Sequence, residues 1–422
     1  MDMTRVELPY GHENLSAGVP SANLQAVLVP RKTTENSDGD SLLRGALARP
    51  IGTPRLRDLA EPGQQVVIVT SDLTRPCPSQ RLLPPVLDEL AAAGVSDDDV
   101  TVVAALGLHR PMTGAELEAA VGAGVYSRVR VINHDPTDTI RLGVTPAGTP
   151  VEIFRPIVEA DLRICLGNLE LHYFAGFSGG AKAIFPGCAS RAAVSANHAM
   201  MVRPEAAAGR LEGNPVRADL EEGVATLGAD FILNVVVDGQ HRIVEAVAGD
   251  VTAAHRRGCE LVAQRSIVEL DRPAGVVLVS AGGYPKDLNL YQAQKALDNA
   301  AHAVRDGGVL ILVAECGEGL GNRTFEEWLT GATPDELLVR IQREFVLGGH
   351  KAAAVAAVLR RAGVYVVSAL PVDLSRRCGL NPFNSVNAAL DAAFSRLGSD
   401  SSVLVMPQGG SILPVVKPPA RV

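Results

Sequence analysis

Residues 64–78 read QQVVIVTSDLTRPCP, a Val/Ile run with no polar interruption that breaks abruptly at Ser71-Asp72 into a polar loop. A strand with one wet face alternates apolar and polar residues; a strand apolar at every position is covered on both faces, as in a parallel sheet packed between helices. Six further runs repeat the pattern: VTVVAALG (100–107), ADLRICLG (160–167), AGVVLVS (274–280), GVLILVA (308–314), AGVYVVS (362–368) and SSVLVMP (401–407). Each precedes Gly or polar residues and then a helical pattern. Buried strands alternating with helices predict an α/β protein with mostly parallel sheets.

Helix signals fall where that reading needs them. Thr113-Gly-Ala-Glu116 forms a capping box, and PPVLDELAAAG (84–94) carries prolines near its expected start and stops at Gly94. Asp287 is placed to cap the helix after AGVVLVSAGGYPKD. A second α/β unit starts near residue 270, and VAQRSIVELDRPAG (262–275) reads as the passage between two domains. The expected division is 1–268 and 269–407, with the tail 408–422 packing back on the first. The polar segment 31–41, RKTTENSDGDS, reads as an exposed loop or hairpin tip.

With 422 residues, 47% of them hydrophobic, the chain can bury two sizeable cores. A net charge of −8 argues against a broad nucleic-acid footprint, which requires a basic face. An anionic ligand must therefore find a local basic pocket. The six cysteines are scattered without a C-x-x-C pair, so neither a zinc ribbon nor a disulfide framework is indicated. No apolar run approaches the ~20 residues of a membrane span, and the N-terminus lacks a secretory pattern. These features predict a cytoplasmic protein with a small-molecule ligand and neither nucleic-acid nor membrane partners.

Ligands of open α/β sheets bind beyond the carboxyl ends of the strands. Three such ends are polar: SDLTRPCP with Asp72 and Arg75, LHRPMT with His109, and NLELHYFAGFSGGAK with His172 and Lys182. Arg offers a planar fork for a carboxylate, and Asp accepts hydrogen bonds from sugar hydroxyls. Two histidines at neighbouring strand ends suit acid/base work near neutral pH. The other histidines, His134 and His255 among them, read as surface or capping residues, while His198 in SANHAMM sits on a helical segment. The glycine turn fails the P-loop pattern, because Ala181 precedes Lys182 and Ala183 follows it. A lysine beside such a turn can still act as a nucleophile. In NLYQAQKALDNA, Tyr291, Gln292 and Lys295 share a helical face. Read singly, these residues leave open a zinc-dependent hydrolase or lyase using His109, His172 and His198. They also leave open a non-catalytic binder of an anionic metabolite, with Arg75, Lys182 and Lys295 as a cationic cradle.

Taken together and in order, SDLTRP, GLHRPMT, HYFAGFSGGAKAIFPG, ANHAMM and NLYQAQKALDNA resemble the nickel-pincer lactate racemase family over nearly the whole chain. The resemblance implies two α/β domains with the active site in the cleft between them. It implies a pyridinium mononucleotide, carrying a thioamide and a thiocarboxylate that hold nickel, bonded covalently to Lys182. His198 would be the protein ligand to nickel, Asp72 would contact the cofactor, and His109 and His172 would be the acid/base pair. Arg75 and Lys295 would hold the substrate carboxylate, with Tyr291 and Gln292 beside them. The implied reaction is racemisation or C2-epimerisation of a 2-hydroxy acid by reversible hydride transfer. Removing hydride while a base takes the hydroxyl proton avoids a second negative charge next to the carboxylate. Leu108 stands where the family more often has a small polar residue.

Overall fold

The computed structural model describes residues 2–31, 38–238 and 240–417. The chain divides into two units: the first 32 residues join everything from Arg265 onward, and the stretch up to Gln264 forms the other.

The intervening unit is built on a six-stranded sheet. Its order is Ile243–Gly249, Phe231–Val237, Leu162–Asn168, Val66–Ser71, Val100–Ala105 and Arg130–Asn133. Neighbours are parallel except the first pair, which is antiparallel. Val66 and Ile68 face one side and pack with Leu82, Val86 and Leu90 of the helix Ser79–Ala92. Val67 and Val69 face the other side and pack with Phe185, Val194 and Leu220. Both sets of alternate side chains are therefore dry, and the run has no polar position to spare.

The capping box at Thr113 forms as expected, opening the helix Gly114–Val121. The helix Ser79–Ala92, however, begins ahead of its prolines, so Pro84 and Pro85 stand inside it. Ser79 shares a buried hydrogen bond of 2.7 Å with Thr70 of the preceding strand, which anchors the helix start further back. Of the polar segment 31–41, residues 32–37 lie outside the described ones; Gly39 already begins the helix Gly39–Ala48, capped by Asp38.

The other unit has a six-stranded sheet whose neighbouring strands are all parallel, in the order Asn381–Pro382, Gly363–Val367, Val304–Val313, Ala274–Ser280, Val403–Met406 and Leu24–Val27. The hairpin of Met3–Tyr10 and Glu13–Pro20 lays Val6, Leu8, Ala17 and Val19 on Val276, Leu278, Ile311 and Val405. This corrects the expected division at 1–268: the N-terminal segment covers the later sheet and supplies its edge strand. The tail is corrected too, since Leu413–Val416 pairs with Ile267–Leu270 of this same unit; residues 418–422 lie outside the described ones. Asp287 does not cap the helix Leu290–Ala301; Asn289 does, accepting from the Gln292 N–H at 3.1 Å. Asp287 is fully buried and accepts from the backbone N–H groups of Gly11 (2.6 Å) and Glu315 (3.1 Å), tying the hairpin turn to a strand end.

All six cysteines are free. Among the described residues no helix is long and apolar enough to cross a membrane.

Phe185 links this core to the glycine turn. It is fully buried, and a Cβ on Gly223 of the helix Pro215–Ala225 would lie 2.8 Å from its ring. Phe185→Ala is expected to cost about 3–5 kcal/mol, read as a lower urea midpoint at unchanged slope; an unshifted midpoint would refute the packing described.

Candidate active site

Leu162–Asn168, Val66–Ser71 and Val100–Ala105 are adjacent and parallel, so the loops that follow them leave the same edge of the sheet. That edge gathers Asp72, His109 and His172. Asp72 is buried, and its Oδ1 accepts from the Thr74 N–H (3.1 Å) and hydroxyl (2.7 Å). Its Oδ2 lies 2.5 Å from Nδ1 of His109. Burial pushes the Asp72 carboxyl upward, but the hydrogen bonds from His109 and Thr74 outweigh it and leave its pKa below the usual value. The ionised carboxylate accepts a hydrogen bond from Nδ1–H of His109, which leaves Nε2 as the ring nitrogen turned away from Asp72. Asp72, expected at the cofactor, also holds the His109 ring. Arg75, three residues on, is exposed.

His172 is buried, and its Nδ1 accepts from the Ala175 N–H at 3.3 Å. Burial, reinforced by the charges of Lys182, Arg75, His198 and Arg217, holds its pKa well below the ordinary histidine value. It is a neutral imidazole with its proton on Nε2. Phe174 stands edge-on to both His172 and His198, with ring centroids 4.5 and 4.9 Å away. His198 lies in the last turn of the helix Arg191–Ala199, with Nδ1 3.2 Å from Oδ1 of Asn197.

Between His172 and Lys182 the chain runs through the interior, and each carbonyl from Phe174 to Ser178 has a donor. Asn214 donates to Phe174 O (2.8 Å) and the Gly209 N–H to Gly176 O (2.9 Å). Arg217, 1% exposed, donates to Ala175 O (3.2 Å) and Phe177 O. His255 donates to Ser178 O at 2.9 Å. The chain then turns at Gly179 and Gly180, both at positive φ, where a Cβ would lie 2.7 Å from Oδ1 of Asn234 and 2.7 Å from the His255 ring respectively. Asn234 also accepts the Gly180 N–H at 2.8 Å. Only glycine satisfies both the backbone conformation and the approach.

Lys182 sits in the short 3-10 turn Gly180–Ala183, not at the mouth of the long helix that follows a P-loop. Burial, with the charges of Arg75 and Arg217, pushes its ammonium down to about 7, against smaller opposite effects of Glu170 and Asp72. Half of these amines are then neutral, and nucleophilic, at neutral pH.

Six expected residues thus belong to one unit: Asp72, Arg75, His109, His172, Lys182 and His198. Tyr291, Gln292 and Lys295 lie on the helix Leu290–Ala301 of the other unit. There the Tyr291 ring carries Nζ of Lys351 at 4.0 Å and meets Phe325 edge-on at 5.6 Å. Among the described residues no three His, Cys, Asp or Glu side chains converge as a metal cage, so the three-histidine zinc set is not assembled. His255 and His134, read as surface or capping residues, are 1% and 2% exposed; burial lowers them to about 3 and about 4. Arg217 and Asn234 carry no local sequence signal, and that of His255 misleads, because each acts on a loop distant in sequence.

Comparison with known proteins agrees across the whole chain. Residues 10–209 match the lactate racemase N-terminal domain, and residues 270–414 match the lactate racemase C-terminal domain. The lactate racemase of Thermoanaerobacterium thermosaccharolyticum is 36% identical, covering 97% of this chain and 99% of that one. That of Lactiplantibacillus plantarum is 31% identical, covering 97% and 100%. The solved apoprotein structure of the T. thermosaccharolyticum lactate racemase superposes with a TM-score of 0.89 at 35% identity, covering 98% of this chain and all of that one. A Thermotoga maritima protein shares the fold, with a TM-score of 0.62 at 20% identity over 90% of this chain.

The lowered Lys182 ammonium has a direct readout. Its acetylation rate is expected to rise up to about pH 8 and then level off, whereas an ordinary lysine, with a pKa of about 10.4, keeps rising past pH 10. Peptide mass spectrometry after brief labelling measures it; a profile still climbing above pH 9 would contradict the buried amine.

Proposed function

The chain belongs to the lactate racemase family and is an isomerase; on that premise we propose that it interconverts the two configurations of a 2-hydroxy carboxylic acid with a nickel-pincer nucleotide tethered at Lys182. The observation that carries the reading is the pairing of two differently held imidazoles, His109 on Asp72 and the buried His172, with a buried lysine whose pKa falls to about 7. The residues fit the cofactor. Lys182 offers an uncharged nucleophile at a turn stripped of side chains, and His198, donating through Nδ1 to Asn197, keeps an imidazole lone pair on Nε2 for a metal. When bound, the group supplies the acceptor, and later the donor, of the hydride.

This chain's own residues do the rest. His109, with Asp72 on its Nδ1, takes the substrate's hydroxyl proton through Nε2 on one face, and His172, protonated for that turnover, gives a proton from the other; the reverse direction starts from the opposite charge pair, so the two share one proton throughout. A base on each face lets the planar 2-oxo acid receive hydride on either side, and microscopic reversibility exchanges the two roles. Arg75 is assigned to the carboxylate, which keeps the 2-oxo acid bound while it reorients. Lys295, Tyr291 and Gln292 share the helix Leu290–Ala301 of the other unit, and the family resemblance assigns them to substrate binding. Asp72 works through His109, as the acid of a catalytic triad works through its histidine.

Chiral analysis of a panel of 2-hydroxy acids incubated with cofactor-loaded protein tests the reading. Wild type is expected to interconvert enantiomers, and Asp72→Asn to lose about 10²- to 10⁴-fold in kcat while keeping its mass adduct. His109→Ala and His172→Ala are each expected to abolish interconversion. Near-wild-type turnover in both histidine variants would eliminate the two-base scheme, and an adduct retained by Lys182→Ala would eliminate the tether.

A further inference from the structure

Two helices far apart in sequence reach the loop between His172 and Lys182 through one carboxylate. Glu221, on the helix Pro215–Ala225, receives both arms of Arg256 at 2.7 Å and lies 3.7 Å from Nη1 of Arg217. Arg256, on the helix Ala253–Ser266, also donates from Nη1 to Nδ1 of its neighbour His255 at 3.3 Å. That contact makes Nδ1 an acceptor and puts the His255 proton on Nε2, the atom that donates to Ser178 O. Arg217 takes Ala175 O and Phe177 O from the other side. A carboxylate, two guanidiniums and an imidazole therefore end on three carbonyls of the loop, joined by the Arg256–Glu221 hydrogen bonds and by the longer Glu221–Arg217 ion pair at 3.7 Å.

We propose that Glu221, acting through Arg256 and His255 on one side and through Arg217 on the other, is the positioning hub for the turn that bears Lys182. It touches neither substrate nor cofactor. The proposal rests on the reading of Lys182 as the attachment point. Charged hydrogen bonds are stronger than neutral ones, and a network whose members orient each other fixes geometry better than isolated pairs; here Arg217 and His255 are buried, while the Glu221–Arg256 pair at its outer end is partly exposed. The Gly179-Gly180 turn supplies no side-chain packing of its own, so its position is imposed from outside, by Asn234 and the His255 ring at van der Waals range. Loss of the His255 bond would free the turn where glycine gives the backbone most freedom.

His255→Leu removes the donor and keeps the volume; His255→Gln keeps a donor. In apo-protein at neutral pH, acetylation of Lys182 relative to an exposed reference lysine is expected to fall about tenfold or more in His255→Leu. A released turn returns the amine to water and to its charged form. His255→Gln is expected to restore labelling, and adduct occupancy in cofactor-loaded protein is expected to follow the same order. Thermal unfolding checks that both variants are folded. If His255→Leu does not fold, Glu221→Gln, which removes the charge at constant shape, carries the same comparison. Labelling and adduct both at wild-type level in the folded His255→Leu or Glu221→Gln variant would overturn the proposal. If Lys182→Ala keeps its adduct while His255→Leu still loses Lys182 labelling, the tether reading falls and the positioning frame stands.

Discussion

A loop that passes through a protein interior must find a donor for each carbonyl it buries, and here that requirement shapes the site. From Phe174 to Ser178, five successive carbonyls are served by Asn214, Arg217, Gly209 and His255. An unsatisfied buried carbonyl costs on the order of 1–3 kcal/mol, so these contacts dictate where the loop lies. The loop carries His172 at one end and Lys182 at the other. Its path in turn brings Phe174 against both His172 and His198. The backbone's need for partners is thus converted into the relative placement of three chemical groups.

Electrostatics follows from the same burial. The whole chain is acidic, at −8, yet the loop concentrates Arg75, Lys182 and Arg217 around His172. Burial, and after it the repulsion among these charges, is relieved by leaving protons off: the imidazole stays neutral and the lysine falls to about 7. What results is a cationic rim around uncharged nucleophiles and bases. An anionic substrate is attracted there without the reactive groups being silenced by protonation.

Much of this was legible in the sequence, and the rest was hidden for identifiable reasons. The seven Val/Ile/Leu runs are all strands, because a strand buried on both faces leaves a signature independent of its partners. The hairpin Met3–Tyr10 and Glu13–Pro20 was legible as neither strand nor member of the later unit. Its Leu8 and Val19 acquire meaning only against Val276 and Ile311. Asp287 looked like a helix cap, yet its carboxylate serves backbone N–H groups of Gly11 and Glu315. The motif residues of the site were readable because they cluster just past strand ends. Glu221, Arg217, Asn234 and His255 were not, since nothing local distinguishes a buried charge that serves a distant loop from a solvated one.

The edge strand Leu24–Val27 pairs with Val403–Met406, and Gly18 donates to the side chain of Asn387. During synthesis the strand Leu24–Val27 therefore waits for Val403–Met406, made several hundred residues later. The unit between them can fold in the meantime, since its strands all lie between residues 66 and 249. Until residue 403 is made, the later sheet exposes an unpaired edge at Ala274–Ser280, and the hairpin has only part of the surface it covers. Such long-range closure is slow and leaves apolar strands open. The order of translation thus makes the later unit, rather than the one bearing the histidines, the step at which this chain is most exposed to aggregation.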